Sequence, residues 1–136
     1  MNINKKPIHD LDLLIQSMNP FLNPGTFAFV SVSDQNELRN AEIIASILED
    51  EGVSAVIREA DAEALGLPVL FRAAWITLTV NSDLEAVGLT AAFAGALAKA
   101  GISCNVVAGA WHDHLFVPIE QAEMAMKILK ALQTSE

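Results

Sequence analysis

Three consecutive residues, His112, Asp113 and His114, carry the side chains best suited to chemistry in this sequence. On a strand, alternate side chains face opposite sides, so the two imidazole rings would lie together and could bind a metal ion. A closed zinc site needs four ligands, and the sequence has no second cluster of His or Cys beyond the isolated Cys104. A Cys104 nucleophile paired with His would need an orienting group and an oxyanion hole, which the sequence does not identify. We therefore expect no metal, no cofactor and no catalytic residue, and we give these three residues a supporting role near a ligand site or an oligomer edge.

A second candidate is the segment Asn81-Ser82-Asp83-Leu84-Glu85, in which Ser82 and Glu85 have the spacing of a helix capping box. The backbone N–H groups of a helix start attract carboxylates, and an amino acid would supply one. Asp83 could then meet the ammonium group of the same ligand. The alternative is that Ser82 and Glu85 satisfy the helix start themselves and that Asp83 only favours the helix dipole.

Gly88 and Asn105 also favour a ligand near this helix. A glycine is costly inside a helix, and Gly88 would allow a ligand or a backbone to come close. Asn105 stands in a predicted strand between Cys104 and Val106, where an amide is unfavourable unless a partner pairs with it. The alternatives are tight packing against the other half of the chain for Gly88, and an edge position facing water or a partner strand for Asn105.

The elements that position these residues follow one another closely. In the second half we predict a strand at Phe71 to Val80, a helix from the Ser82 cap to Gly101, strands at Ile102 to Gly109 and Asp113 to Val117, and a final amphipathic helix from Pro118. In the first half we predict a helix at Ile8 to Met18, a turn at Asn23-Pro24-Gly25, a strand at Thr26 to Val32, a helix from Ser33-Asp34 to Gly52, a strand at Val53 to Ile57 and one or two helical turns at Ala60 to Leu65.

The two halves resemble each other. The run FVSVSD, a helix and EGVSAVI in the first half match ITLTVNSD, a helix and AGISCNVV in the second. The second copy continues with another strand and helix, giving β-α-β-β-α, which lacks only the last strand of the ferredoxin-like unit. We expect another strand, from this chain or from a second chain, to fill that edge.

The composition limits the classes of partner. The 136 residues suit one compact domain or two small halves sharing a core, and the hydrophobic content of 52% predicts a homodimer or higher homo-oligomer. A net charge of −9 opposes binding to nucleic acid or to an anionic membrane surface.

Three further features bear on the location of the protein. The lone cysteine fits a reducing compartment, no apolar signal-peptide core follows the N-terminal lysines, and the longest charge-free run is too short to span a membrane. We expect a soluble cytoplasmic protein.

The runs LEAVGLT, AGISCNVVAG and HDHLFVP resemble the ACT domain, in particular small bacterial proteins with paired ACT-like halves that are related to cytosolic arginine sensors. The resemblance covers essentially the whole chain. It implies an α+β, ferredoxin-like βαββαβ fold with two ACT-like halves sharing one antiparallel-sheet sandwich and helices packed on the sheets. The expected halves are residues 1–70, with a leading helix, and residues 71–136.

The resemblance also implies a non-catalytic regulatory protein that binds a small molecule, and an amino acid is the expected ligand. The predicted ligand-binding residues are Asn81, Ser82, Asp83, Leu84, Val87, Gly88, Asn105 and Val106. Two other functions stay open: a structural or oligomerisation module without a ligand, and an enzyme that uses His112, Asp113 and His114.

Overall fold

The computed structural model describes residues 10–134. Its helices are α1 (Leu11–Gln16), α2 (Glu59–Ala64), α3 (Leu89–Lys99) and α4 (Ala122–Thr134). Its strands are β1 (Pro20–Val32), β2 (Ile43–Glu49), β3 (Gly52–Arg58), β4 (Phe71–Leu78), β5 (Asn105–Ala108) and β6 (Asp113–Pro118), and short 3₁₀ helices span Gln35–Leu38 and Ile119–Gln121. The predicted helix at Ile8 to Met18 falls partly outside the described residues, and its described part corresponds to α1. Within residues 10–134, no helix is long and apolar enough to cross a membrane.

Residues 24–74 form one compact unit, which we call the central unit; we call residues 10–23 together with 75–134 the terminal unit. In the central unit the strand order is β2-β3-β1-β4. β1 and β3 pair antiparallel from Phe27 and Arg58 to Val32 and Val53. The core consists of alternate, inward-facing residues of these strands with one residue each from the 3₁₀ helix and α2: Ala28, Val30, Val32, Leu38, Val53, Ala55, Ile57 and Ala62.

The helix predicted between Ser33-Asp34 and Gly52 is wrong. Only the four residues Gln35–Leu38 are helical, and the chain then forms β2, which pairs with β3 as a hairpin closed at Glu49 and Gly52. A helical stripe and a strand pattern coincide here, because the run IIASIL is also rich in residues that favour strands. Gly52 ends a hairpin turn at φ +142°, and a Cβ there would lie 2.3 Å from the Val32 carbonyl oxygen.

The turn predicted at Asn23-Pro24-Gly25 also differs from the structure. These residues lie inside β1, which starts at Pro20. Gly25 has a positive φ of +106° that a side chain would resist. β1 has a first part in the terminal unit (residues 20–23) and a longer part in the central unit.

In the terminal unit the strand order is β1-β4-β6-β5. β5 and β6 pair antiparallel from Asn105 and Phe116 to Ala108 and Asp113. At the other edge the chain's own N-terminal segment pairs with the residues after β4: the Thr79 N–H donates to the Asn19 carbonyl at 3.5 Å. The strand that the β-α-β-β-α pattern lacked is therefore supplied by residues 20–23.

The helices of the terminal unit form its core together with β4 and β6. α1 packs against α3 and α4, and α4 also contacts β6. The fully or almost fully buried residues are Leu14, Ile76, Leu78, Leu89, Phe93, Leu97, Leu115, Val117, Ala125 and Leu129. The predicted α+β, ferredoxin-like arrangement of strands and helices is thus confirmed in this unit, and the central unit repeats it with a 3₁₀ turn in place of its first helix.

Candidate functional site

A cavity of about 320 Å³ lies in the terminal unit, where the loop between β4 and α3 meets the ends of β5 and β6. Its volume is at the lower end of the range usual for small-molecule sites. The residues that line it are Ser82, Asp83, Leu84, Ala86, Val87, Gly88, Leu89, Thr90, Ala108 and Asp113.

The loop that forms most of this cavity is not the helix start that the sequence predicts. The Asp83 carboxylate accepts a hydrogen bond from the Glu85 N–H at 2.8 Å, and the Ala86 N–H donates to the Asp83 carbonyl at 2.9 Å. Aspartate side chains often bind the backbone two residues ahead and so stabilise a turn instead of a helix. The predicted capping box of Ser82 and Glu85 is therefore absent, and the helix begins only at Leu89.

The N-terminus of α3 opens onto the cavity without a side-chain cap. Its N-cap residue is Gly88, which has a φ of +102° and offers no side-chain acceptor to the first N–H groups of the helix. Such groups lack partners within a helix and carry a partial positive charge. The Leu11 side chain of α1 lies near Gly88, because a Cβ at this position would lie 3.0 Å from the Leu11 Cδ2 atom, whereas the approach of a ligand or a backbone that we predicted at Gly88 stays a prediction.

Asp113 provides a buried carboxylate at the other side of the cavity. It begins β6 opposite Ala108, and only 7% of its surface is exposed. Its nearest described donor is the Ser82 hydroxyl, which donates to Oδ2 over a long 3.5 Å. Burial raises the pKa of the Asp113 carboxyl, whereas the Ser82 hydroxyl and the imidazoles of His114 and His112 act in the opposite direction. A cation in the cavity would stabilise the ionised form of this group.

The two histidines point their Nδ1 atoms at other groups of the protein. The His112 Nδ1 atom lies 3.2 Å from the Val80 carbonyl oxygen, so it donates there. The His114 Nδ1 atom accepts a hydrogen bond from the Trp75 indole N–H at 3.0 Å and lies 3.1 Å from the Thr77 hydroxyl. An indole N–H can only donate, so this His114 ring is neutral with its proton on Nε2. Burial and the neighbouring His112 lower the pKa of His114. Among residues 10–134, no group of three or more His, Cys, Asp or Glu side chains could hold a metal ion.

The structure brings part of the predicted site together. The residues that were predicted to bind a ligand and that line the cavity are Ser82, Asp83, Leu84, Val87 and Gly88. Asp113, which was predicted to play a supporting role, joins them. The predicted residues that do not line it are Asn81, Asn105, Val106, His112 and His114. Asn105 is exposed at the start of β5, opposite Phe116, three strand positions away from the Ala108 end that reaches the cavity.

Sequence reasoning missed four lining residues, Ala86, Leu89, Thr90 and Ala108. The first three belong to the same continuous segment as the predicted ones and could have been included on that ground. Ala108 lies opposite Asp113 only because of the register of the β5–β6 hairpin. That register depends on the length of the turn, which the sequence pattern left open.

Comparison with known families gives a match for each half of the chain. Family models described as "ACT domain" match residues 6–74 and residues 71–131. No curated protein matches the chain significantly. The division predicted at residues 70 and 71 stays a prediction.

Solved structures similar to the chain include a protein of unknown function from Vibrio cholerae, described as a possible transport protein. It is 44% identical, covers 91% of this chain and 96% of its own, and has a TM-score of 0.80. The ligand-free regulatory subunit of aspartate kinase from Thermus thermophilus is 13% identical, with coverage of 88% and 99% and a TM-score of 0.68. A protein from Agrobacterium tumefaciens is 15% identical, with coverage of 84% and 87% and a TM-score of 0.66. The last two likenesses show the fold alone, whereas the two family matches, which together extend from residue 6 to residue 131, show that this chain belongs to the ACT domain family.

Proposed function

We propose that the protein is a non-catalytic sensor of the ACT type and that the cavity of its terminal unit binds an α-amino acid. The proposal rests on one observation: a group with partial positive charge and a negatively charged group line the same cavity. One is the start of α3, which no side chain caps, and the other is the buried carboxylate of Asp113. An α-amino acid has the complementary pair of charges.

The carboxylate of the ligand fits the start of α3. Helix N-termini bind carboxylates because their first N–H groups point at the ligand and the helix dipole favours negative charge. α3 has 11 residues and no acidic residue in its first turn, so no carboxylate of its own first turn competes for this position.

The ammonium group of the ligand fits Asp113. This carboxylate is buried and receives only one long hydrogen bond from the described residues that line the cavity, the one from Ser82. An ammonium group would replace the water that the carboxylate has lost, and a charge-assisted hydrogen bond of this kind contributes about 1.5 to 3 kcal/mol. Asp83, to which we first gave this role, instead uses its carboxylate to hold the turn to Glu85.

Apart from Thr90 and the Gly88 backbone, the remaining lining is apolar and would contact the side chain of the ligand. It consists of Leu84, Ala86, Val87, Leu89 and Ala108. Leu84 and Val87 are 66% and 84% exposed, so a ligand side chain packed against them would remove apolar surface from water. We propose an amino acid with an aliphatic side chain, because a carboxylate side chain would meet Asp83 and Asp113.

The role that we propose is regulation, by analogy with the aspartate kinase regulatory subunit that the fold resembles. Binding would stabilise one conformation, which an enzyme, transporter or transcription factor reads in trans. We propose a cytoplasmic homo-oligomer that binds neither nucleic acid nor membranes and needs no cofactor.

Two observations favour sensing over catalysis by His112 and His114 or by Cys104. His114 uses its Nδ1 atom as the acceptor for Trp75, and His112 uses its own as a donor to the Val80 carbonyl. Burial raises the pKa of the Cys104 thiol to about 11, which leaves almost no thiolate at neutral pH.

A thermal-shift screen against the twenty standard L-amino acids tests the proposal. An amino acid present at about 100 times its dissociation constant stabilises the folded chain by about 2.7 kcal/mol, which raises the melting temperature by several degrees. We expect an aliphatic amino acid to do so and its α-hydroxy acid analogue, which lacks the ammonium group, to fail.

The matched variants are Asp113→Asn and, as a control, Asp50→Asn in the exposed turn between β2 and β3. Asp113→Asn should weaken binding by about ten- to a hundredfold, which corresponds to the loss of one charge-assisted bond. Asp50→Asn should leave it unchanged. A well-folded chain that none of the twenty amino acids stabilises would contradict the proposal and favour a purely structural module.

A further inference from the structure

One polar side chain that lines the terminal cavity makes no hydrogen bond within the described part of the protein. The polar residues in the lining are Ser82, Asp83, Thr90 and Asp113. The Ser82 hydroxyl donates to Asp113, and the Asp83 carboxylate accepts from the Glu85 N–H. The Thr90 hydroxyl has no hydrogen-bond partner among residues 10–134. It is therefore available to a ligand in the cavity.

A threonine in a helix often bonds its hydroxyl back to the preceding turn of the same helix, and Thr134 of α4 does so. The Thr134 hydroxyl donates to the carbonyl oxygens of Lys130 and Ala131, at 3.2 and 3.3 Å. The carbonyls three and four residues before Thr90 lie in the turn that precedes α3 and not in the helix. The position of Thr90 in the first turn of α3 thus leaves its hydroxyl unused.

Thr90 lies next to the N–H groups to which we assign the carboxylate of the ligand. The Ala92 N–H donates to the Gly88 carbonyl at 2.9 Å, which closes the first turn of α3. The N–H groups of residues 89–91 have no acceptor within the helix. Thr90 is the one hydroxyl residue of α3 and adds a side-chain donor to this end of the helix. A carboxylate has two oxygens that only accept, so one oxygen can bind the backbone and the other the hydroxyl.

We propose that Thr90 binds the carboxylate of the ligand together with the start of α3, so that the cavity accepts free α-amino acids and discriminates against their α-amides, including the amide of a peptide bond. An amide has one acceptor oxygen, and its N–H donor would face the N–H groups of the helix. The inference rests on the proposed function of the cavity. It adds the residue that recognises a free carboxylate, whereas Asp113 recognises only the ammonium group.

Calorimetric titration of the full-length chain tests this selection. The probes are L-alanine, L-valine, L-leucine and L-isoleucine and the α-carboxamide of each. At about pH 6.5, more than one unit below the ordinary pKa of an α-amino group, the acid and the amide both carry the ammonium group that binds Asp113. Thr90→Val replaces the hydroxyl by a methyl group of similar size. It should weaken binding of the amino acid about tenfold and binding of its amide about threefold or less, because a bond to a charged acceptor is the stronger one.

Three further variants separate recognition of the carboxylate from effects on folding. Thr90→Ser keeps the hydroxyl and should bind the amino acid as the wild type does, also where the amides bind too weakly to be measured. Thr134→Val removes the hydroxyl of an exposed threonine on α4 and should leave binding unchanged. If Thr90→Val does not fold, Thr90→Ala takes its place, because alanine has the higher helix propensity.

The outcomes distinguish this inference from the proposed function. An amino acid that binds the wild type and Thr90→Val equally well would overturn the role of Thr90 and leave the proposed function intact. Equal losses for the acid and the amide in Thr90→Val would overturn the selection for a carboxylate. Asp113→Asn, by contrast, should weaken both forms, since both have the ammonium group. If none of the amino acids binds the wild type, the proposed function and this inference are both wrong.

Discussion

At the level of single residues, the two aspartates of the cavity show why residue type alone did not identify the site. Asp83 lies next to the predicted helix start, but its carboxylate stabilises the local turn. Asp113 lies 30 positions further along the sequence and is buried against the same cavity by the β5–β6 pairing. Local spacing pointed to the loop that forms most of the cavity, since five of the predicted residues line it, and their role in binding a ligand stays a prediction. It could not predict which carboxylate is buried, because burial depends on contacts that are distant in sequence.

His114 leads to a prediction about pH. Protonation of its Nδ1 atom would break the hydrogen bond from the Trp75 indole, and burial lowers the pKa of His114 below the ordinary value of 6.5. In a Trp111→Phe background, which leaves Trp75 as the single tryptophan, we expect the fluorescence of Trp75 to titrate with a midpoint below pH 6.5.

The same variant background with His114→Gln should abolish that transition, whereas His112→Gln should keep it. Because the folded-state pKa of His114 is lowered, the unfolded chain takes up this proton more readily, so stability should fall as the pH drops through about 6.5. A fluorescence midpoint above 6.5, or a transition that survives in His114→Gln, would contradict the assigned hydrogen bond.

At the level of elements, the sequence predicted the strands near the site better than the segment after β1. β4, β6 and α4 follow clear patterns, and each lies where it was predicted within a few residues. The segment 34–52 satisfies two periodicities, and the structure adopts the strand because β3 offers it a pairing partner. Leu48, which lies in the segment that we predicted to be helical, is 85% exposed. Local propensity alone favoured neither a helix nor a strand for this segment, and pairing with β3 makes part of it a strand.

Gly88, the N-cap residue of α3, and Gly95 within α3 give a prediction at this scale. Gly88→Ala should destabilise the chain by about 1 to 3 kcal/mol, because alanine resists the positive φ and its Cβ would press on Leu11. Gly95→Ala, in the exposed middle of the same helix where a Cβ would meet no atom within 4 Å, should stabilise it by up to about 1 kcal/mol.

Chemical denaturation of the two variants measures both effects on one helix. If Gly88→Ala were as stable as the wild type, α3 would not begin where the structure places it. An amino acid that stabilises the wild type should also lose affinity for Gly88→Ala, since the start of α3 lines the cavity.

At the level of the whole molecule, the family and the fold were predictable because they rest on the order of elements in both halves. The homo-oligomer stays a prediction, supported by edge strands at β2 and β5 and by the large exposed side chains of Ile47 and Leu48. We expect light scattering to give at least the mass of a dimer, and Leu48→Lys to reduce it. A monomeric wild type across the micromolar range would refute the prediction.

The division of β1 between the two units bears on how the protein is made. Residues 24–74 leave the ribosome as one continuous segment, so the central unit can complete its sheet during synthesis. The terminal unit has to wait, because residues 20–23 emerge early while β4 to α4 follow only after the whole central unit. At about 5 to 20 residues per second, its first strand spends several seconds without β4, the strand with which it pairs. A nascent chain stalled after α2 would therefore leave the backbone N–H and C=O groups of residues 20–23 without that partner, and synthesis of β4 would supply it.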